Sequence, residues 1–233
     1  MSPASSIALL TGFSLIASSA SGQDPFLGER EVMVESQIEA RDVSDPRTLK
    51  AMREVPRHLF VPASRRAEAY RDSPLPIGYG QTISQPYIVA YMTACISPQP
   101  GFRVLEVGTG SGYQAAVLAE IVDTVYTLEI IPELHKQASV RLASLGYTNV
   151  VTRHADGYFG WDAAAPFDAI VVTAAAEHIP PPLVRQLKDG GIMVIPVGSP
   201  FLVQSLLLVE KRGEEVRTKN LMPVRFVPLT RGD

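Results

Sequence analysis

Apolar and polar positions along this 233-residue chain change period in a regular order. Val104 to Val107 is a short apolar run of the kind a buried strand makes, and Ala115, Ala116, Leu118 and Ala119 then follow helical spacing. Val125 to Leu128 reads as a second strand. Pro132 to Leu145 reads as a helix, with Leu134, Ala138, Leu142 and Leu145 on one face and Gly146 past its end. Val150 and Val151 open a third strand. Ala169 to Thr173 is a fourth, nearly all apolar as a central parallel strand should be. A short helix is predicted over Ile179 to Leu187, and Gly190-Gly191 turns into a fifth strand, Ile192 to Val197. Leu206 to Glu210 and Val224 to Leu229 supply late strands. A charged turn around Arg212 to Glu215 joins them without a clear helix, which leaves room for antiparallel pairing. The repeated β-α order predicts an α/β fold with a doubly wound, mostly parallel sheet.

Upstream of residue 103 the pattern is different. Residues 26 to 70 read as helical and polar. Val32, Val34, Ile38 and Ala40 mark one apolar pattern, and Leu49, Met52 and Val55 mark a second, capped near Ser44 or Asp45 with Pro46 in its first turn. Pro74 to Gln81 is rich in Pro and Gly and reads as a loop. Ile88, Tyr91, Met92 and Cys95 then give a helical face for which Ser84 is a good N-cap. The expected organisation is an extension over residues 1–25 and a single domain over 26–233, helical to about residue 100 and α/β from 101 onward.

Composition narrows the picture. With 46% hydrophobic and 19% charged residues, the chain suffices for one sizeable core. A net charge of −3 argues against nucleic acid as the main partner, because phosphate binding needs a basic face. Cys95 is the only cysteine, so no intrachain disulfide and no cysteine metal cluster is possible. His58, His135, His154 and His178 form no close ligand pair, and no metal site is predicted. Ile7 to Ala17 and the small residues Ser18 to Gly22 resemble the core and cleavage site of a secretory signal, but no Lys or Arg occurs before Arg30. The apolar stretch is too short to span a bilayer.

The chemistry concentrates where the first strand ends. Gly108, Gly110 and Gly112 stand at alternate positions between that strand and the following helix, with Glu106 just before them. Glycines there let the backbone turn sharply and let a ligand approach it closely. A dinucleotide fingerprint needs a glycine where Tyr113 stands, which disfavours an oxidoreductase. S-adenosylmethionine, with a cationic amino-acid end and no pyrophosphate, fits better, and Glu106 is placed to attract its ammonium group. Glu129 closes the second strand about 20 residues beyond Gly108, the separation at which an acid reaches ribose hydroxyls. Asp156 and Gly157 follow the third strand, where Asp156 is placed to accept from an adenine amino group; Asp-Gly is also a common turn. Upstream, Thr82 and Ser84 sit before a helix N-terminus, which suits an anion such as a carboxylate. From these residues alone, a capped helix with no ligand fits that loop equally well.

Several stretches carry a resemblance. They are Leu75-Pro76-Ile77-Gly78 with Gln81-Thr82-Ile83-Ser84-Gln85-Pro86, then Leu105 to Gln114, then Phe167 to Ala175 with Val224 to Leu229. Together they resemble the protein-L-isoaspartate (D-aspartate) O-methyltransferase family over about residues 28 to 229. The resemblance implies a Rossmann-like class I fold and methyl transfer from S-adenosylmethionine to the free α-carboxylate of L-isoaspartyl residues in damaged proteins. It implies that Ser84 is the active-site residue, with Thr82 beside it, and makes Arg225 and Phe226 to Leu229 candidate cleft walls. Residues 26–100 then become the substrate side and 101–233 the cofactor side. The expected protein is a monomer without stable membrane association. Its cofactor points to the cytoplasm; periplasm or export is the alternative if residues 1–22 act as a signal. A methyltransferase of small molecules and a non-catalytic cofactor-binding module are the rival functions.

Overall fold

The computed structural model describes residues 24–199 and 202–232. The signal-like stretch therefore lies outside the described residues. The N-terminal layer begins with α1 (Leu27–Val32), which runs on through tighter and wider turns to Arg41. α2 (Pro46–Glu54) follows. Its cap is Asp45, which accepts from the Thr48 N–H at 2.8 Å, with Pro46 at the first turn. The stretch expected to be a loop contains a small antiparallel hairpin, β1 (Leu75–Gly78) and β2 (Gln81–Ile83). α3 (Pro86–Cys95) comes next.

The α/β part then runs β3 (Arg103–Val107), α4 (Tyr113–Ala119), β4 (Thr124–Glu129), α5 (Pro132–Ser144), β5 (Val150–His154), β6 (Phe167–Val172), α6 (Pro181–Gln186), β7 (Leu187–Val197), β8 (Gln204–Arg212) and β9 (Glu215–Val224). The seven larger strands form one sheet in the order β5-β4-β3-β6-β7-β8-β9. The first five are parallel, and β8 and β9 are antiparallel. The last strand is thus displaced from its expected place. Residues 225–229 run as an extended segment whose only pairing among the described residues is an isolated bridge from Pro228 to Ala175.

The sheet separates two cores. Val104, Ala169, Val171 and Val194 face α4 and the N-terminal layer. Leu105, Val107, Ile170, Val172, Met193 and Ile195 face the other side, with Leu183 of α6. Burial on both faces is why these strands read as unbroken apolar runs. α5 packs through Leu134, Ala138 and Leu142, one turn apart, and Gly146 at φ +85° ends it. This scaffold brings the ends of β3, β4, β5 and β6 to one edge, beside the hairpin and the start of α3. Among the described residues no helix is long and apolar enough to cross a membrane.

Candidate active site

A cleft opens where β3 and β4 end, as expected at the carboxyl edge of a parallel sheet. Glu106, Gly108, Gly110, Glu129 and Gly157 line it together with Thr82 and Ser84, so seven positions singled out in the sequence meet in space. Gly112 does not line it. At φ +87° it precedes α4 in the left-handed region that favours glycine, and a Cβ there would also crowd Leu142 of α5 at 3.2 Å.

The glycine loop is held from below. The Gly108 and Thr109 N–H groups donate to the Leu128 carbonyl at 2.8 and 3.1 Å. Glu129 accepts from Gly110 N–H at 2.7 Å and from Ile131 N–H at 3.0 Å, so its carboxylate fastens the loop to the end of β4. Two contacts demand glycine. A Cβ on Gly108 would sit 2.5 Å from Thr173 Oγ1, and one on Gly157 would sit 2.4 Å from Val107 Cγ1.

Glu106 is fully buried. Its Oε2 accepts from the Thr127 hydroxyl, which in turn lies 2.6 Å from the Thr109 hydroxyl. Its Oε1 is buried with no partner in the protein. Burial, helped by the nearby charge of Glu129, pushes the Glu106 carboxyl up to about 8, against the pull of the Thr127 bond. An orphaned acceptor at the cleft floor fits a cationic donor such as an ammonium group.

Asp156 is otherwise engaged. It caps a short turn by accepting from Tyr158 N–H at 2.9 Å, and its other oxygen accepts from Arg231 Nε at 2.9 Å and Gly232 N–H at 3.1 Å. Burial opposes its ionisation, but Arg231 and the two N–H groups outweigh that and hold its carboxyl below the usual range. Asp156 does not line the cleft, whereas Gly157 does.

Ser84 is not the cap of α3. Gln85 holds that position and makes no side-chain capping bond, because Pro86 at the first turn sets the start of the helix. Among the described residues neither the Ser84 nor the Thr82 hydroxyl has a hydrogen-bond partner, which leaves both free toward the cleft.

A second cleft adjoins the first. Arg41, Tyr87, Val203, Met222, Arg225 and Phe226 are among its walls. Both clefts share Thr82, Ser84, Thr173 and Val227, so these four residues stand where the two spaces meet. The pattern reading missed Thr173 as a site residue. Its place directly after the apolar run of β6 is the available signal, since ligands gather at strand carboxyl ends. Arg41 was also missed. Its guanidinium lies 3.7 Å over the Tyr87 ring and pairs with Asp72 at 2.6 Å, and Asp72 also accepts from Gln85 beside Ser84.

Residues 28–233 match the family model described as Protein-L-isoaspartate(D-aspartate) O-methyltransferase. The chain is 55% identical over 217 residues to Protein-L-isoaspartate O-methyltransferase 2 of Shewanella sediminis, covering 93% of this chain and 89% of that protein. A solved protein-L-isoaspartate O-methyltransferase superposes with a TM-score of 0.78 at 29% identity, over 87% of this chain and 66% of the other. A second solved structure, from Plasmodium falciparum, has the same fold with a TM-score of 0.74 at 24% identity over 87% of this chain and 99% of the other. It is described as a putative protein-L-isoaspartate O-methyltransferase in complex with S-adenosyl-L-homocysteine.

Proposed function

The chain belongs to the protein-L-isoaspartate(D-aspartate) O-methyltransferase family, and from that premise we propose that it methylates the free α-carboxylate of L-isoaspartyl residues with S-adenosyl-L-methionine as donor. D-Aspartyl residues are a second substrate class named by the family description. The observation that carries the proposal is the meeting of two clefts at Thr82, Ser84, Thr173 and Val227. One cleft has the acids and glycines for the cofactor. The other has the space for a peptide.

The bound cofactor supplies an electrophilic methyl group on a sulfonium whose departure leaves a neutral thioether. The protein's task is then alignment. A C-terminal-type α-carboxyl has a pKa of about 3.5 and is already ionised near neutrality, so no strong base is required. Ser84 and Thr82 offer unengaged hydroxyls to orient that carboxylate at the junction. Positioning of this kind lowers a barrier by several kcal/mol, about 7 where orientation is complete. Glu129, beside Gly110, is placed to accept from ribose hydroxyls. Glu106, whose buried Oε1 has no hydrogen-bond partner, is the group we assign to the ammonium end. Once formed, the methyl ester closes without the enzyme as the following backbone nitrogen attacks the ester carbonyl and expels methanol, and water opening the resulting succinimide returns part of it to normal aspartate.

The same proposal assigns residues 26–100 to the substrate side and 101–233 to the cofactor side of one domain. It takes the protein as a monomer that acts on damaged proteins in the cytoplasm, where the donor is made. Tritium-labelled S-adenosylmethionine, offered with paired aspartyl and L-isoaspartyl peptides, tests it. Label transfer to the L-isoaspartyl peptide alone is expected. Transfer to neither peptide, with cofactor bound, would favour a small-molecule substrate.

A further inference from the structure

The last described residues cross the cofactor cleft and are fastened at both sides of it. On one side the Ala175 N–H donates to the Val227 carbonyl and the Leu229 N–H donates to the Ala175 carbonyl, each at 2.8 Å. On the other side lies the Arg231–Asp156 pair, joined by the Gly232 N–H. Ala175 follows β6 and Asp156 follows β5, and those strands flank β3 and β4 in the sheet. The segment between the fastenings therefore spans the two central strands whose ends carry Gly108 and Glu129. Val227, Pro228, Leu229 and Thr230 all line the cofactor cleft.

The two fastenings differ in kind. The first is a pair of backbone bonds, backed by Phe226 N–H donating to Gln204 Oε1 at 2.9 Å. The second depends on one side chain. The Arg231 guanidinium lies 3.7 Å over the Tyr158 ring, and the Tyr158 hydroxyl lies 3.1 Å from His178 Nε2. Arg231 is 46% exposed and Asp156 is 13% exposed, so solvent reaches this end. An exposed ion pair is weak alone, and stacking on an aromatic face adds to it. The Arg231 end is thus a side-chain fastening open to solvent, whereas the other end is held by backbone bonds. Asp156 already accepts three N–H groups of the roughly four a carboxylate takes, so this fastening uses most of its capacity.

We propose that Arg231 is a positioning residue for the cofactor: with Asp156 and Tyr158 it latches residues 227–230 across the cleft, and opening of the latch sets how fast the demethylated product leaves. This rests on the cofactor assignment above. The test is dissociation of labelled S-adenosylhomocysteine from wild type, Arg231→Ala, Arg231→Lys and Tyr158→Leu, beside thermal melting. Arg231→Ala should release product about tenfold faster, the loss of one stacked and paired contact. Arg231→Lys should fall between, since it keeps the charge and loses the planar stack. Added salt should speed release from wild type and leave Arg231→Ala unmoved. Release at the wild-type rate from both Arg231→Ala and Tyr158→Leu, even with a lowered melting temperature, overturns the latch. A wild type that binds no S-adenosylhomocysteine at all overturns the cofactor assignment itself, and the latch with it.

Discussion

The Thr173 hydroxyl at the end of β6 occupies the space that a side chain on Gly108 would need, 2.5 Å from the ideal Cβ position. Thr173 cannot simply turn away, because its hydroxyl is 3.0 Å from the Val107 carbonyl and 2.7 Å from that of Gly108. Gly108 also has φ +99°, where side-chain-bearing residues are strained. Gly108→Ala should therefore cost more than about 1 kcal/mol of stability and remove cofactor binding. Gly108→Ala with Thr173→Ala should recover part of the stability, because the clash goes while the strained backbone stays. Thermal melting and calorimetry read both effects. A double variant no better than the single one would assign the whole cost to the backbone.

Glu129 serves the loop as well as any ligand. Its oxygens accept from Gly110 and Ile131. Glu129→Ala leaves these N–H groups without that acceptor, and it should weaken S-adenosylmethionine binding by about 1–3 kcal/mol. It should also lower the melting temperature of the protein without cofactor. Unchanged affinity in a folded variant would take Glu129 out of the site.

Ser84 separates from the helix it precedes. Since Gln85 caps α3, Ser84→Ala should change stability by less than about 0.5 kcal/mol. If its hydroxyl orients the substrate carboxylate, turnover should fall about 10²–10³-fold, like loss of an oxyanion-stabilising donor. Cofactor affinity should hold, because the glycine loop is fastened by Leu128 and Glu129 and not by Ser84. Methyl transfer to an isoaspartyl peptide, beside calorimetry, measures this. Near-normal turnover would pass the role to Thr82.

The central strands were legible because burial on both faces writes an apolar run, as Val104 to Val107 shows. The glycine loop was legible because its conformation excludes other residues. The hairpin of β1 and β2 was hidden, since Pro76 and Gly78 in the first strand and Gly80 in the turn read as a loop, and the strands are only four and three residues long. The cap of α3 carried a signal that was passed over: Pro86 at the first turn makes the residue before it the cap. Phe226 to Leu229 look like a strand because they form an apolar run, yet they pair at one bridge. The Arg231–Asp156 contact joins residues 75 apart, and no local pattern reports such a pair.

The buried Glu106 carboxyl should make the candidate cofactor site sensitive to pH. Its buried carboxyl is raised from 4.5 to about 8 by desolvation and then by the charge of Glu129, while Thr127 pulls the other way. The folded protein therefore holds a proton that the unfolded chain has already lost. Where the folded state binds more protons, stability falls as pH rises. The contribution is complete below about pH 4.5 and is lost as pH approaches about 8. Glu106→Gln keeps the shape and removes the titration, so its melting temperature should fall less than that of wild type between about pH 5 and about 8. Cofactor binding should act on the same proton. An ammonium group beside Oε1 favours the ionised form, so binding near pH 7 should release a proton from wild type and not from Glu106→Gln. Calorimetry in buffers of different ionisation enthalpy detects that release as a change in apparent binding enthalpy. A wild-type enthalpy that is the same in every buffer would mean that Glu106 stays neutral when the site is filled, and that its role is to accept a hydrogen bond without carrying charge.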